Sequence, residues 1–389
     1  LLRYLKKIFY NSVAELRSIF NQSDSDMKCF FDFRVKGIRL LAICLGYLIC
    51  LWAVMGVAMW FGSMYEMNRM MMASGLPVEE SPVNYAPLVY VTMQLIYFVV
   101  SLLLGFFLIT ECVKGLSFKG ESLQPHYELG KYIGLVVKGF LLTIITLGIY
   151  YPWFLTKITR FFASGTMYRD QPFAFKGTGV NLFCIMTFVL LIPYIFLLGI
   201  FYFTLYVAMS SGSAGFAIIA PLCLVAILLL YSLYCALVYR WMIDFSYGNS
   251  RIVLKVSIPV TMLFMFIQIV LSVLTAGLFI PIAGVMIYRY IVGNMRLVSE
   301  AGEESALGYQ GRIGYDCLYV YGQALLTVIT AGIYTPWLIS KVGRRLVSNT
   351  YLERPDVITP TFTPGANEPT EAFQPVAPAE TAQPSSLQM

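Results

Sequence analysis

The chain has 389 residues, of which 58% are hydrophobic, 15% aromatic and 12% charged, with a formal net charge of +6 and a mean hydropathy of +0.72. A soluble domain carries about 25% charged residues, so the composition excludes an ordinary soluble protein and points to a polytopic membrane protein. Eight cysteines are scattered, most of them in apolar runs (Cys44, Cys50, Cys184, Cys223, Cys235), and none forms a C-x-x-C pair. That argues against a disulfide framework or a zinc site and for small apolar packing residues.

Residues 1–20 place Leu5, Ile8, Phe9, Leu16, Ile19 and Phe20 among Arg3, Lys6, Lys7 and Arg17, the pattern of an amphipathic helix on an anionic membrane surface. Residues 1–36 thus read as an N-terminal cytoplasmic segment. The membrane domain follows over 37–351, with full spans expected at 40–61, 88–109, 181–208 and 216–239; each exceeds the roughly 20 residues a crossing needs. The 62–86 loop holds Glu66, Glu79 and Glu80 against Arg69, and Lys114, Lys119 and Lys131 follow the second span. The inside bias of Lys and Arg then puts the N-terminus in the cytoplasm and that loop outside. The tail, 352–389, holds seven prolines among Thr, Ala, Glu and Gln, cannot bury a core, and is expected to be disordered.

One stretch recurs. Residues 141–166 (LLTIITLGIYYPWFLTKITRFFASGT) return almost whole at 325–350 (LLTVITAGIYTPWLISKVGRRLVSNT), with a weaker copy at 270–295. The outer copies share Gly148, Tyr150, Pro152, Trp153, Lys157 and Arg160 with Gly332, Tyr334, Pro336, Trp337, Lys341 and Arg344; the middle copy keeps Thr275, Gly277, Pro281 and Arg289. Three copies in register make the chain a repeat protein. Gly permits φ > 0, and Pro suits the first turn of a new helix while biasing the residue before it, Tyr151, away from the α region. Each copy reads as helix, tight aromatic corner, helix. The second helix carries an apolar stripe with its basic residues to one side, an interfacial pattern. The expected fold class is an all-α polytopic membrane protein, a helical bundle with three internal helix–(Gly-Ile-Tyr-x-Pro)–helix repeats. A smaller recurrence leaves room for short juxtamembrane β-strands: VKG at 35–37, FKG at 118–120 and 175–177, YG at 247–248 and YQG at 309–311.

LLTIITLGIYYPW, followed by K-x-x-R and then F-A-F-K-G-T-G, resembles the YjgN family of bacterial inner-membrane proteins. The likeness is densest over 117–183 and recurs at 325–350. It implies a multi-pass protein of the bacterial inner membrane, and it implies no reaction, the family being functionally uncharacterised.

The residues themselves offer no catalytic constellation. His126 is the single histidine, there is no P-loop and no G-x-S-x-G, and Glu111, Asp244 and Asp316 sit at span ends unpaired in sequence. The chain is therefore not expected to be an enzyme, to hold a metal or cofactor, or to bind nucleic acid. Its expected partners are membrane lipids, and no protein partner can be named. Three polar residues lie at matching depth in the copies, Lys138, Gln268 and Gln323. They could line a shared cavity, or serve as a snorkelling Lys and two interhelical hydrogen-bonding groups. Lys157, Arg160, Arg289, Lys341 and Arg344 read as headgroup anchors. Two functional classes follow: a transporter or channel-like protein for a small solute, or a non-transporting scaffold that organises lipids, envelope components or a partner protein. Two topologies are also open. Seven full crossings would place several basic clusters outside, whereas re-entrant hairpins with arms about 15 Å deep would keep every cluster inside.

Overall fold

The computed structural model describes residues 28–74, 86–211 and 214–354. The expected amphipathic N-terminal helix, the acidic half of the expected outer loop, Gly212 and Ser213 of the expected SSGSAG loop (210–215), and the Pro-rich tail beyond 354 lie outside these residues.

Five helical pairs leave one β-sheet and return to it. Strand β1 (Cys29–Phe33) leads into α1 (Gly37–Ala73) and α2 (Ala86–Lys114), which return at β2 (Leu116–Phe118). After β3 (Glu121–Ser122) and β4 (Gln124–Pro125) come α3 (Leu129–Ile145), α4 (Tyr151–Gly165), β5 (Thr166–Tyr168) and β6 (Gln171–Phe175). Helix α5 (Gly179–Ser210) and α6 (Ala214–Met242) return at β7 (Phe245–Tyr247) and β8 (Ser250–Leu254). The last two pairs are α7 (Ile258–Leu274) with α8 (Ile280–Asn294), and α9 (Ile313–Ile329) with α10 (Thr335–Val347). Strands β9 (Met295–Ser299) and β10 (Glu304–Tyr309) lie between them, and β11 (Thr350–Leu352) follows.

The fold is mostly helical, as expected, and the short strands that the aromatic–Gly recurrence left room for are present, so the all-α class is corrected only in part. The strands are only 2 to 6 residues long, but they join into one eleven-stranded antiparallel sheet in the order β3-β2-β1-β11-β10-β9-β8-β7-β6-β5-β4. Its two ends, β3 and β4, are consecutive in the chain with Leu123 between them, and the Leu123 N–H donates to the Leu116 carbonyl at 2.9 Å. Residues 121–123 pair with β2 and 124–125 with β5, so the sheet curls into a nearly closed ring that leaves little of the free edge that invites aggregation. The strands flanking each helical pair are hydrogen-bonded to each other. One further backbone bond closes the foot of each pair: Arg34 to Gly115, His126 to Gly165, Lys176 to Asp244, Lys255 to Asn294 and Gln310 to Asn349, at 2.7–3.0 Å. The aromatic–Gly recurrence mixes two places in this ring. Residues 118–120 and 247–248 turn from one strand to the next, whereas 35–37, 175–177 and 309–311 lead from strand to helix.

Among the described residues, four helices are long and apolar enough to span a membrane. Helix α1 runs 37 residues, about 56 Å at 1.5 Å per residue, so residues 62–73 are helix rather than loop; the Met-rich run after Gly62 contains no breaker. In α5, Pro193 cannot donate and crowds the preceding turn. A π-helical stretch at Ile185–Leu191 absorbs it, and the helix continues.

The corners explain the recurring Thr-x-Gly. Gly148, Gly277 and Gly332 have φ of +91°, +88° and +90°, and the residue before each is also left-handed (Leu147 +50°, Ala276 +49°, Ala331 +50°). The Gly148 N–H reaches back to the Thr143 carbonyl at 2.7 Å, a Schellman-type cap. The Thr146, Thr275 and Thr330 hydroxyls accept from the backbone N–H of Tyr150, Phe279 and Tyr334 at 3.0–3.1 Å. Tyr151, expected outside a helix because Pro152 follows, begins α4 instead; in a first turn the proline gives up no intrahelical bond. A left-handed non-glycine costs about 1–2 kcal/mol. Ala276→Gly and Ala331→Gly are therefore expected to raise the melting temperature in detergent. Gly148→Val, with open space around its Cβ position but a strained φ, is expected to lower stability by about 1–3 kcal/mol. Unchanged melting in all three would contradict this reading of the corner.

Candidate functional site

The ring encloses an apolar chamber. Phe118, Leu123, Tyr168, Tyr247, Leu297 and Leu352 are 1–9% exposed and pack together; burying such side chains contributes about 1.5–3 kcal/mol each. Phe118, Tyr168 and Tyr247 end β2, β5 and β7 just before strand turns, Leu123 lies between β3 and β4, Leu297 is in the middle of β9, and Leu352 ends β11; alternate strand residues face inward. Beside them lies a cavity of about 580 Å³. Strand residues such as Phe31, Phe173, Ile252 and Leu307 form its wall, and Ile109 and Val113 of α2 with Ile158 and Phe162 of α4 cover it.

The hydroxyl groups at this wall are internally satisfied. Tyr247 donates to the Tyr168 carbonyl at 2.7 Å and Tyr168 to the Phe118 carbonyl at 3.4 Å. Tyr127 shares a 2.6 Å bond with the Thr166 hydroxyl. Burial pushes the Tyr168, Tyr247 and Tyr127 phenols above their ordinary range, so they stay neutral at physiological pH. A half-open apolar cavity with neutral, satisfied walls offers water few partners and is suited to an apolar guest. Outside it, the Arg169 guanidinium meets Glu121 at 2.7 Å and holds that carboxyl below its usual range.

The corner residues form two matching assemblies. Tyr150 stacks on Trp153 and Tyr334 on Trp337, with centroids 6.3 and 5.9 Å apart. Lys157 donates to the Tyr150 hydroxyl at 2.6 Å and Lys341 to that of Tyr334 at 2.7 Å, each ammonium 5.4 Å from the ring centroid. Trp153 lies against Gly179 and Trp337 against Gly37; a Cβ on either glycine would come within 2.6–2.8 Å of indole carbon. Both glycines begin a full span. Ile282 replaces the Trp in the middle copy, where the next pair around the ring is α9–α10 rather than a spanning pair. Pro152, Pro281 and Pro336 occupy the first turns of α4, α8 and α10. Arg160 and Arg344 make long bonds, 3.4 Å, to the carbonyls of Gly177 and Phe33, and Arg289 is half-buried on α8.

The three polar residues at matching depth are not brought together. Lys138 is exposed on α3. Gln323 accepts from the Tyr334 hydroxyl at 2.7 Å. Gln268 is 4% exposed and lines a separate cavity that neither of the others reaches. The carboxylates at span ends each hold a base: Glu111 with Lys114, Asp244 with Arg251, Asp316 with Arg345. No cluster of three metal-ligating side chains occurs among the described residues. Sequence reasoning missed the chamber; the buried aromatic before three of the four strand turns, Phe118, Tyr168 and Tyr247, was its available signal.

Residues 116–297 match the model of a family described as bacterial protein of unknown function (DUF898), a stretch running from β2 to β9. The chain is 44% identical over 63 residues to the inner membrane protein YjgN of Salmonella typhimurium, a match spanning 16% of each chain. No solved structure matches the chain.

Proposed function

We propose, from the premise that the chain belongs to the YjgN family of bacterial inner-membrane proteins, that its strand ring stands at the cytoplasmic surface and holds a lipid acyl chain in its apolar chamber. The protein acts in this reading as a lipid-organising scaffold rather than a solute transporter or an enzyme. The observation that carries it is the chamber of about 580 Å³, walled by apolar residues from nearly every strand.

The placement rests on connectivity. Because each helical pair starts and ends in the same ring, a ring on one side of the membrane brings every pair back to that side. Lys114, Lys176, Arg240, Arg251, Lys255 and Arg296 then share that side, and the inside bias of Lys and Arg makes it the cytoplasm. The pairs α1–α2 and α5–α6 span, and α3–α4, α7–α8 and α9–α10, the products of an internal repeat, are re-entrant. Their arms of 17 and 13 to 15 residues are about 26 and 20–22 Å long, longer than the 15 Å expected from the lysine spacing. Irregular backbone within a bilayer must be satisfied internally. At the first corner the N–H groups of Leu147, Gly148, Ile149 and Tyr151 bond to carbonyls and that of Tyr150 to Thr146. Against a solute path stands the chamber's lining, almost wholly apolar, which offers a polar solute no partner.

Native mass spectrometry of protein purified in mild detergent tests the reading. Wild type is expected to retain a phospholipid. Leu297→Trp and Ile252→Trp, which fill the chamber from its wall, are expected to lose it, and Ile49→Trp on the exposed face of α1 to keep it. Equal retention in all four proteins would contradict a chamber-bound lipid.

A further inference from the structure

The third and fourth pairs meet at a second cavity of about 600 Å³, lined by Tyr231 of α6, Gln268 and Ser272 of α7, Ala276 at the corner, and Ala283 and Gly284 of α8. Its wall is apolar except for the Gln268 carboxamide, the Ser272 hydroxyl, which donates to the Gln268 carbonyl at 2.8 Å, and the Tyr231 phenol. The Gln268 side-chain oxygen is buried and accepts no hydrogen bond. An amide buried without its partners is costly, so the residue calls for an account.

The matching pair α9–α10 supplies the comparison. There Gln323, nine residues before its corner glycine as Gln268 is before Gly277, accepts from Tyr334 eleven residues on at 2.7 Å. Lys341 in turn donates to Tyr334. In α7–α8 both partners are gone: Phe279 stands at the tyrosine position and Met286 at the lysine position. Gln268 therefore lacks the chain of partners that Gln323 has, and it stands in the wall of a cavity of ligand size.

We infer that this cavity is a binding site for a neutral, hydroxyl-bearing apolar molecule, whose hydroxyl replaces the missing tyrosine at Gln268. A charged ligand fits poorly, since no charged side chain lines the cavity. The atom without a partner is the carboxamide oxygen, so the side chain turns that oxygen toward the cavity and the guest's hydroxyl donates to it. The alkyl part lies against Ile269, Val273, Ile280 and Ile287. Such a guest could come from the bilayer, as a diacylglycerol, or from solution, as a small alkyl diol.

The test uses the full chain in detergent, with 1,2-dioctanoylglycerol, its O-methyl ether and 1,2-octanediol as probes in native mass spectrometry. Wild type is expected to bind dioctanoylglycerol at least tenfold better than its methyl ether. Gln268→Leu is expected to erase that preference. Phe279→Tyr, which restores the internal donor, should erase it as well, so the outcome does not hang on one variant. Gln323→Leu should leave it intact. Octanediol competing at equal concentration would mark a soluble source, and failure to compete a bilayer source. No preference for the free hydroxyl in wild type, or a preference kept in both Gln268→Leu and Phe279→Tyr, would overturn the inference. Chamber variants such as Leu297→Trp should not change this preference, which separates the result from the acyl-chain reading.

Discussion

Arg345→Met is expected to cost about 3 kcal/mol of stability, several times the cost of Arg344→Met one residue earlier. Asp316, in the first turn of α9, is 0% exposed. One of its oxygens accepts from Arg345 of α10 at 2.6 Å and the other from Tyr309 of β10 at 2.7 Å. The three residues thus tie strand, outgoing helix and returning helix at the foot of the last pair. Burial first, and then the Asp316 carboxylate it serves, push the Tyr309 phenol far up, so it remains a donor at any working pH. Removing Arg345 leaves a buried carboxylate with one neutral partner. Arg344, by contrast, makes a single 3.4 Å contact with the Phe33 carbonyl. Thermal unfolding in detergent measures both; equal losses would mean that the Asp316 pair contributes nothing special. Asp316→Leu should cost less than Arg345→Met, because the Arg345 side chain is 42% exposed and water can solvate it.

A second large effect is expected in cysteine labelling of intact cells, with the eight native cysteines replaced. Ser164 and Ser348 lie at the feet of the pairs α3–α4 and α9–α10, next to β5 and β11. Cysteines there should be shielded from an impermeant thiol reagent added outside and should react once the membrane is opened. A cysteine at Ser74, at the far end of α1, should react from outside. The contrast is close to all-or-none, because Ser74 lies on the opposite side of the bilayer from Ser164 and Ser348 in this topology. Labelling of Ser164 or Ser348 from outside would make that pair a full crossing.

The spans and corners were legible because their signals are long or chemically singular. Twenty apolar residues in a row, or Thr-x-Gly before Pro-Trp, have few structural solutions. The ring was not legible for the opposite reason. Its strands are too short to show a period of two, and their partners are distant: Cys29 pairs with Leu352, and Ser246 with Arg251 on one side but Ala174 on the other. Only the assembled ring shows why Leu352, read as the start of the tail, is 1% exposed. The glycines facing Trp153 and Trp337 were likewise unreadable, since nothing in Gly37 or Gly179 announces an indole from another pair. Gln268 was singled out from its depth alone. What sets it apart is the loss of a hydroxyl at Phe279, which a comparison of the copies residue by residue would have exposed.

The acyl-chain reading is tested most directly by placing a photoactivatable group at the end of a phospholipid acyl chain in liposomes carrying the protein, then mapping the labelled peptides. The account predicts label on the strand segments that contain Phe118, Ile252, Leu297 and Leu307, in addition to the lipid-facing helices, and its loss from those strands in Leu297→Trp. Label confined to the exposed faces of α1, α2, α5 and α6, with the strand segments unmarked in wild type, would contradict it.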